Sequence, residues 1–141
     1  QDIEAYKELR KNTNLYVLSS TIPEIEAVLN ANDITVDPIS KELDFSNSKF
    51  VSDADMRSVE RAMTRIYRDL GRPITAREYL NMRDILKQLA SYSTVDASRG
   101  QSLIRQLRHT ANETAHKIIP GLKDADKITS KYYNEIEELK D

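Results

Sequence analysis

Apolar residues recur at steps of three and four along most of the chain after residue 52. That spacing places side chains on one face of an α-helix. It occurs in four stretches joined by short connectors, which predicts an all-α fold: an antiparallel three- to four-helix bundle over residues 51–141, preceded by a short helical and loop-rich segment. The residues predicted to form a packing seam, either within the chain or between subunits, are Met56, Val59, Met63, Ile66, Leu70, Tyr79, Met82, Leu86, Leu89, Leu103, Leu107, Leu122, Ile128, Tyr132, Ile136 and Leu139.

Boundary signals mark both ends of the first long helix and the start of the second. Ser52 is placed to cap the first, and Gly71 is placed to stop it in the left-handed conformation common just after a helix. Thr75 and Glu78 have capping-box spacing at the start of the second helix. The first helix is therefore expected to run from just after Ser52 to Gly71, and the second to begin just after Thr75.

The last two helices are separated by the Pro-Gly pair at 120–121. A polar linker over 91–96 precedes a third helix predicted from about residue 97 to 118. Gly100 falls in its first turn, which weakens that boundary because glycine disfavours helix. The fourth helix is expected to start near Leu122.

The first fifty residues carry a weaker pattern. Residues 2–11 predict a short helix, and Thr21 followed by Pro23 is a helix-start signal. Residues 33–52 alternate apolar positions with Pro, Ser and Asn, which predicts loops with a short strand pair. We therefore divide the chain into an N-terminal segment, 1–50, and a helical bundle, 51–141.

Composition fits a folded helical domain. Of 141 residues, 39% are hydrophobic and 31% charged, with only three Gly and four Pro. Cys is absent, which excludes disulfides and thiol chemistry. Neither a signal peptide nor an apolar run long enough for a membrane span is seen. Because the sequence begins with Gln1, we expect a fragment of a longer polypeptide.

Charge is unevenly distributed, although the net charge is only −2. Residues 57–117 hold twelve Lys or Arg against six Asp or Glu. An arginine row that can follow a phosphate backbone lies on the first long helix, so these residues are candidate contacts for nucleic acid or an acidic partner. Neighbouring carboxylates offer the alternative that the row makes salt bridges. The row consists of Arg57, Arg61, Arg65, Arg68 and Arg72.

Candidate catalytic and metal-binding groups are sparse. His109, Glu113 and His116 share one face of the third helix, the kind of set that ligates metals. A di-iron bundle needs a second Glu-x-x-His unit, and no other histidine exists. No G-x-S-x-G elbow or glycine-rich phosphate loop occurs. We expect no catalytic residue, no bound metal and no cofactor, so the chain is not predicted to be an enzyme.

Two stretches, ITAREYLNMRDILKQLA (74–90) and SLIRQLRHTANETAHKIIPGLKDADKITSKYY (102–133), carry a resemblance. Residues 51–141 resemble helical segments of large bacteriophage virion proteins, such as tail tape-measure proteins. The resemblance implies a non-catalytic structural module in a virion or in bacterial cytoplasm, with itself or other structural proteins as partner. The alternatives are a nucleic-acid-binding module using the arginine row and a helical adaptor that docks a partner protein.

Overall fold

A computed structural model describes residues 3–90 and 98–140, the last nine of these by backbone alone. Within these ranges the chain forms six α-helices and two short strands. The elements are α1 (Glu4–Lys11), α2 (Thr21–Ala31), β1 (Thr35–Val36), β2 (Leu43–Asp44), α3 (Asp53–Leu70), α4 (Ala76–Ala90), α5 (Arg99–Ile118) and α6 (Leu122–Lys140).

The fold is mostly helical, which confirms the predicted class. Helix α5 lies at the centre and packs against α2, α3, α4 and α6, while α1 lies against α4 and α6. The strand pair expected in the loop-rich stretch is present: β1 and β2 are antiparallel, with Thr35 opposite Asp44 and Val36 opposite Leu43. No helix in the described ranges is long and apolar enough to cross a membrane.

Most of the predicted seam fills the interior of this one chain. Met56 and Leu89 are partly buried against that core. At Tyr132, Ile136 and Leu139 the prediction lies outside the described side chains. The seam residues that are buried are Val59, Met63, Ile66, Leu70, Tyr79, Met82, Leu86, Leu103, Leu107 and Leu122.

Ile128 differs from these seam residues, because 53% of its surface is exposed. Leu122 and Ala125 are buried and fix the inward face of α6. At 100° per residue, Ile128 lies roughly 90° around the axis from the middle of that face. Ile128 is therefore not packed inside this chain, and its prediction as a seam residue between subunits stays a prediction.

Helix starts follow the capping signals. The Ser52 side chain accepts a hydrogen bond from the Asp55 backbone N–H at 3.2 Å. Thr75 Oγ1 accepts from the Glu78 N–H at 3.1 Å, and Glu78 Oε1 accepts from the Thr75 N–H at 3.0 Å. Both predicted N-termini are confirmed. The capping box fixes the start of α4.

Gly71 ends α3 for a different reason from the one predicted. Its φ is −78°, so it does not use the left-handed region. A Cβ there would lie only 2.6 Å from the Tyr67 carbonyl oxygen, so close approach, not chirality, favours glycine. Gly121, in the break before α6, does adopt a positive φ of 86°.

Helix α5 begins at Arg99, two residues later than predicted. Ser98 and Gln101 form a capping box, since the Ser98 side chain accepts from the Gln101 N–H and the Gln101 side chain accepts from the Ser98 N–H. A Cβ at position 100 would come within 2.9 Å of Asp55 Oδ1 on α3, so the close approach of α3 favours glycine in this first turn. The predicted linker over 91–96 lies outside the described residues.

The N-terminal segment shares the core of the bundle. Leu9, Leu18, Ile25 and Leu29 are buried in the same hydrophobic cluster as the residues of α3 to α5. Two backbone hydrogen bonds between Tyr16 and Ile74 tie this segment to the start of α4. The division at residue 50 stays a prediction about organisation, but packing is continuous across it.

Candidate functional site

A buried arginine occupies the middle of the helical core. Arg83 lies on the inward side of α4 and is only 7% exposed. Its Nη1 donates to Asp126 Oδ2 at 2.7 Å and its Nη2 donates to Asp126 Oδ1 at 3.0 Å. This two-pronged geometry fixes the guanidinium and carboxylate in one plane and orients α6 against α4.

Two further helices reach the same carboxylate. The Tyr6 hydroxyl on α1 donates to Asp126 Oδ1 at 2.5 Å. His116 Nε2 on α5 lies 2.5 Å from Asp126 Oδ2. Side chains from α1, α4 and α5 therefore converge on one acidic residue of α6, and we name this set (Tyr6, Arg83, His116 and Asp126) the Asp126 cluster.

The contacts within the Asp126 cluster favour the charged forms of Asp126 and Arg83. Burial alone would raise the pKa of Asp126, but hydrogen bonds from Arg83, Tyr6 and His116 outweigh it and lower that pKa. Burial alone would lower the pKa of Arg83, yet the bond to Asp126 raises it. Arg83 and Asp126 therefore form an ion pair in which each group stabilises the charged form of the other.

Two aromatic rings and an amide complete the surroundings of Arg83. The guanidinium carbon lies 5.9 Å from the ring centres of both Tyr6 and Tyr79. Asn112 Oδ1 on α5 accepts from Tyr79 and, at 3.2 Å, from Arg83 Nη1. Burial raises the pKa of the Tyr79 hydroxyl, so Tyr79 acts as a neutral donor.

The hydrogen-bonding capacity of the Asp126 carboxylate is filled from within the chain. Each oxygen receives one bond from Arg83, and the second bond comes from Tyr6 at Oδ1 and from His116 at Oδ2. A carboxylate offers about four acceptor sites. In some enzymes an Asp carboxylate orients a histidine that acts as general base. Here the same carboxylate is also held by Arg83, whose positive charge disfavours proton uptake by Asp126.

The five arginines of the predicted row lie in two different environments, and three of them contact Asp69. Arg65 Nε lies 2.6 Å from Asp69 Oδ2, while Arg68 and Arg72 lie 3.4 Å and 3.3 Å from Asp69 Oδ1. Asp69 is 2% exposed. We name these four residues the Asp69 cluster. Arg65 and Arg68 contact a carboxylate of their own helix, and Arg72, just after that helix, also pairs with Glu78 of α4 at 3.0 Å. These ion pairs support the salt-bridge alternative for the three arginines.

Arg57 and Arg61 behave differently. Both are exposed, and neither makes an ion pair with any residue that the structure describes. They border an open groove of ≈ 430 Å³ between α3 and the start of α5, which also includes Asp55 and Gln101. These two are the part of the predicted row that remains able to meet an external anion.

The three side chains predicted to share one face of the third helix, His109, Glu113 and His116, do not meet at one place. His109 and Glu113 pair at 3.1 Å on the exposed side of α5, whereas His116 turns inward to Asp126. Within the part of the chain that is described, no group of three or more His, Cys, Asp or Glu side chains is arranged to hold a metal ion. The set chosen for its spacing is thus not assembled as one site.

Sequence reasoning missed the Asp126 cluster. The signal was a charged residue within an apolar stripe, since Arg83 lies one turn after Tyr79 on the side that carries Leu86. Asp126 likewise follows Ala125, which is buried. Spacing alone could not pair them, because the two residues are 43 positions apart.

Comparison with known proteins gave no relative: no family model, no curated protein and no solved structure matches this chain.

Proposed function

We propose that this chain is a non-catalytic structural module that packs as an antiparallel helical bundle and self-associates through α6. The filled carboxylate of Asp126 supports the non-catalytic part. Its four acceptor sites are taken by side chains from three other helices. Interior ionisable groups in this arrangement stabilise helix contacts and leave no free base at that position.

Exposed Ile128 on α6 is the observation that carries the self-association. It is an isoleucine half-exposed to water next to a well-packed face. Apolar residues continue along α6 at helical spacing, at 132, 136 and 139. A second copy of α6 supplies a matching surface, as in a two-helix seam.

Sedimentation over a range of protein concentrations tests this proposal. We expect the wild-type chain to form dimers or larger assemblies as concentration rises, and Ile128→Glu to weaken association by at least about tenfold, because it places a charge in an apolar seam. Ile39→Glu is the matched control, since Ile39 is 93% exposed in a loop far along the chain. A monomer at every concentration, or equal effects of both substitutions, contradicts the proposal.

We further propose that the module belongs to a large phage or prophage virion protein. The support is the sequence resemblance of residues 74–90 and 102–133, which form α4, α5 and the first half of α6. The genes flanking the coding sequence provide the test. Neighbouring capsid, tail or portal genes would support a virion role, whereas a metabolic operon would oppose it.

Nucleic-acid binding is the second candidate, favoured by Arg57 and Arg61, which are exposed and form no ion pair among the described residues. Fluorescence anisotropy with a labelled DNA oligonucleotide would test it. The double variant Arg57→Glu/Arg61→Glu should weaken binding and lower the slope against log salt by about two. Arg77→Glu/Lys49→Glu changes the charge equally at other exposed positions and serves as control. No binding at low salt rejects this candidate.

An adaptor function would use the groove between α1 and α6, of ≈ 350 Å³, which includes Leu9 and Ala125. A partner helix would place apolar residues there. Titration with amphipathic helical peptides, with Ala5→Glu as the blocking variant, would test it. Binding that Ala5→Glu does not change would exclude this groove.

A further inference from the structure

The chain between α1 and α2 contains an extended segment with one free backbone edge. Tyr16 is bridged to Ile74: its N–H donates to the Ile74 carbonyl oxygen at 2.7 Å, and its carbonyl oxygen accepts from the Ile74 N–H at 2.9 Å. In an extended chain the backbone groups of successive residues point to opposite edges. The N–H and C=O groups of Leu15 and Val17 therefore point away from Ile74, and they form no hydrogen bond with any residue that the structure describes.

Side chains along this segment alternate as they do in a half-buried strand. Tyr16 packs against the hydrophobic core and Leu18 is 1% exposed, whereas Leu15 and Val17 are 64% and 60% exposed. Proteins protect the edges of sheets with charged residues or Pro, and residues 14–18 contain neither. A free backbone edge beside two exposed apolar side chains has the chemistry of a surface that accepts an added β-strand.

The chain on both sides of the bridge is basic. Residues 10–20 and 71–77 contain no Asp or Glu, and their four cations are Arg10, Lys11, Arg72 and Arg77. Lys11 and Arg72 pair with carboxylates at the surface, while Arg77 is exposed and forms no ion pair with any described residue. A second copy of this edge would bring like charges together, whereas an acidic chain would complement them.

We propose that residues 15–17 form a docking edge for an extended, acidic peptide segment of a partner protein, which adds to the Tyr16–Ile74 bridge as a further β-strand. Leu15 and Val17 exchange backbone hydrogen bonds with the peptide, and their side chains contact apolar side chains at alternate peptide positions. Acidic residues at the ends of the peptide meet the cations around the bridge. This edge is separate from Ile128 and does not depend on self-association.

Titration of the full chain with synthetic peptides tests the partner chemistry. The probe is about ten residues long, with Val and Thr alternating in the middle and Asp and Glu at both ends. We expect it to bind saturably, and we expect a peptide with Lys at every acidic position to bind at least about tenfold more weakly. The acidic peptide with every amide nitrogen of its middle stretch methylated keeps its charge but cannot pair as a strand, so it should also bind at least about tenfold more weakly. Equal binding by the three peptides, or no binding by any of them, overturns the proposal.

A pair of variants at Val17 tests the position of the edge. Val17→Pro removes an N–H that no described residue uses, and Val17→Thr is the matched control because it keeps that N–H and is also β-branched. Val17→Pro should weaken binding of the acidic peptide at least about tenfold, and Val17→Thr by less than about threefold. Circular dichroism melting checks that both variants fold. Equal affinities of two folded variants contradict the assignment of the edge.

Hydrogen exchange in the wild-type chain keeps the test independent of how any variant folds. Saturating acidic peptide should slow exchange of the Leu15 and Val17 N–H groups at least about tenfold, because they become hydrogen-bonded. The Tyr16 N–H, which is already bonded to Ile74, should change less. Unchanged exchange at Leu15 and Val17 refutes the edge. Dimerisation without peptide that Val17→Pro abolishes would assign the edge to a second copy and would also overturn the proposal.

Discussion

Arginine holds one buried carboxylate and one partly buried carboxylate in this molecule, Asp69 and Asp126, but over very different distances along the chain. Asp69 is held by Arg65, Arg68 and Arg72, all within four residues. Asp126 is held by Arg83, 43 residues away, and by Tyr6, 120 residues away. The Asp69 cluster therefore stabilises the end of one helix, while the Asp126 cluster holds four helices in one arrangement.

The arginines of the two clusters also differ in how far their side chains are exposed to solvent. The arginine side chains around Asp69 are 26% to 61% exposed, so water can replace the carboxylate for them. The Arg83 side chain is 9% exposed and has no such substitute. Removing the carboxylate is thus expected to cost less at the first cluster than at the second, where it leaves a buried arginine without a counter-charge.

The largest effect is expected for Asp126→Asn, which leaves Arg83 buried without a counter-charge. We expect a loss of about 3–5 kcal/mol in the free energy of unfolding. Urea denaturation followed by circular dichroism measures it. Asp124→Asn, on the exposed side of the same helix, should change stability by less than about 0.5 kcal/mol. Similar losses of unfolding free energy for the two variants would show that Asp126 stabilises the fold no more than an exposed carboxylate does.

A smaller effect is expected for Asp69→Asn, about 1–2 kcal/mol, because its arginines can turn to solvent. The same denaturation experiment measures it. Arg68→Gln should cost no more than about 0.5 kcal/mol, since that side chain is 61% exposed and its bond is long. A loss at Asp69 as large as that at Asp126 would show that sequence separation does not distinguish the clusters.

Tyr6→Phe is expected to cost about 1 kcal/mol, because it deletes one neutral hydrogen bond to a carboxylate that keeps its other partners. Hydrogen exchange should show faster opening of α1 while α5 stays protected. Tyr16→Phe, which removes the hydroxyl that accepts from Asn12 at 3.0 Å, is the control. Uniform acceleration across the molecule would mean that Tyr6 does not act locally on α1.

The smallest effect is a change in the acid sensitivity of stability. The folded pKa of Asp126 lies below its ordinary value of 3.8, so between the two values the unfolded chain binds more protons. The stabilisation from this residue is therefore complete above about pH 4 and is lost as pH falls through the folded pKa. Unfolding free energy should fall less steeply below pH 4 in Asp126→Asn than in the wild type. Equal slopes would contradict the lowered pKa.

The sequence predicted what depends on neighbouring residues. Helical class, the Ser52 cap and the Thr75 capping box all follow from residues within one turn of each other. The core positions of α3 and α4 follow from spacing as well. Local periodicity carries this information because helix geometry is set by short-range contacts.

What depends on tertiary placement was not predictable. Nothing near Arg83 indicates that it binds Asp126, and the spacing that grouped His109 with His116 could not show that only His116 turns inward. The exposed side of Ile128 likewise depends on which neighbours α6 meets. Pairing across helices requires the fold itself, or covariation between positions.

Paired double-mutant cycles test most directly whether the Asp126 cluster, and not the Asp69 cluster, holds the helices together. One cycle combines Arg83→Met with Asp126→Asn, and the other combines Arg65→Met with Asp69→Asn. We predict a coupling energy of about 2–3 kcal/mol for Arg83 with Asp126 and less than about 1 kcal/mol for Arg65 with Asp69. Coupling below about 1 kcal/mol in the first cycle, or an equal value in the second, would contradict the account.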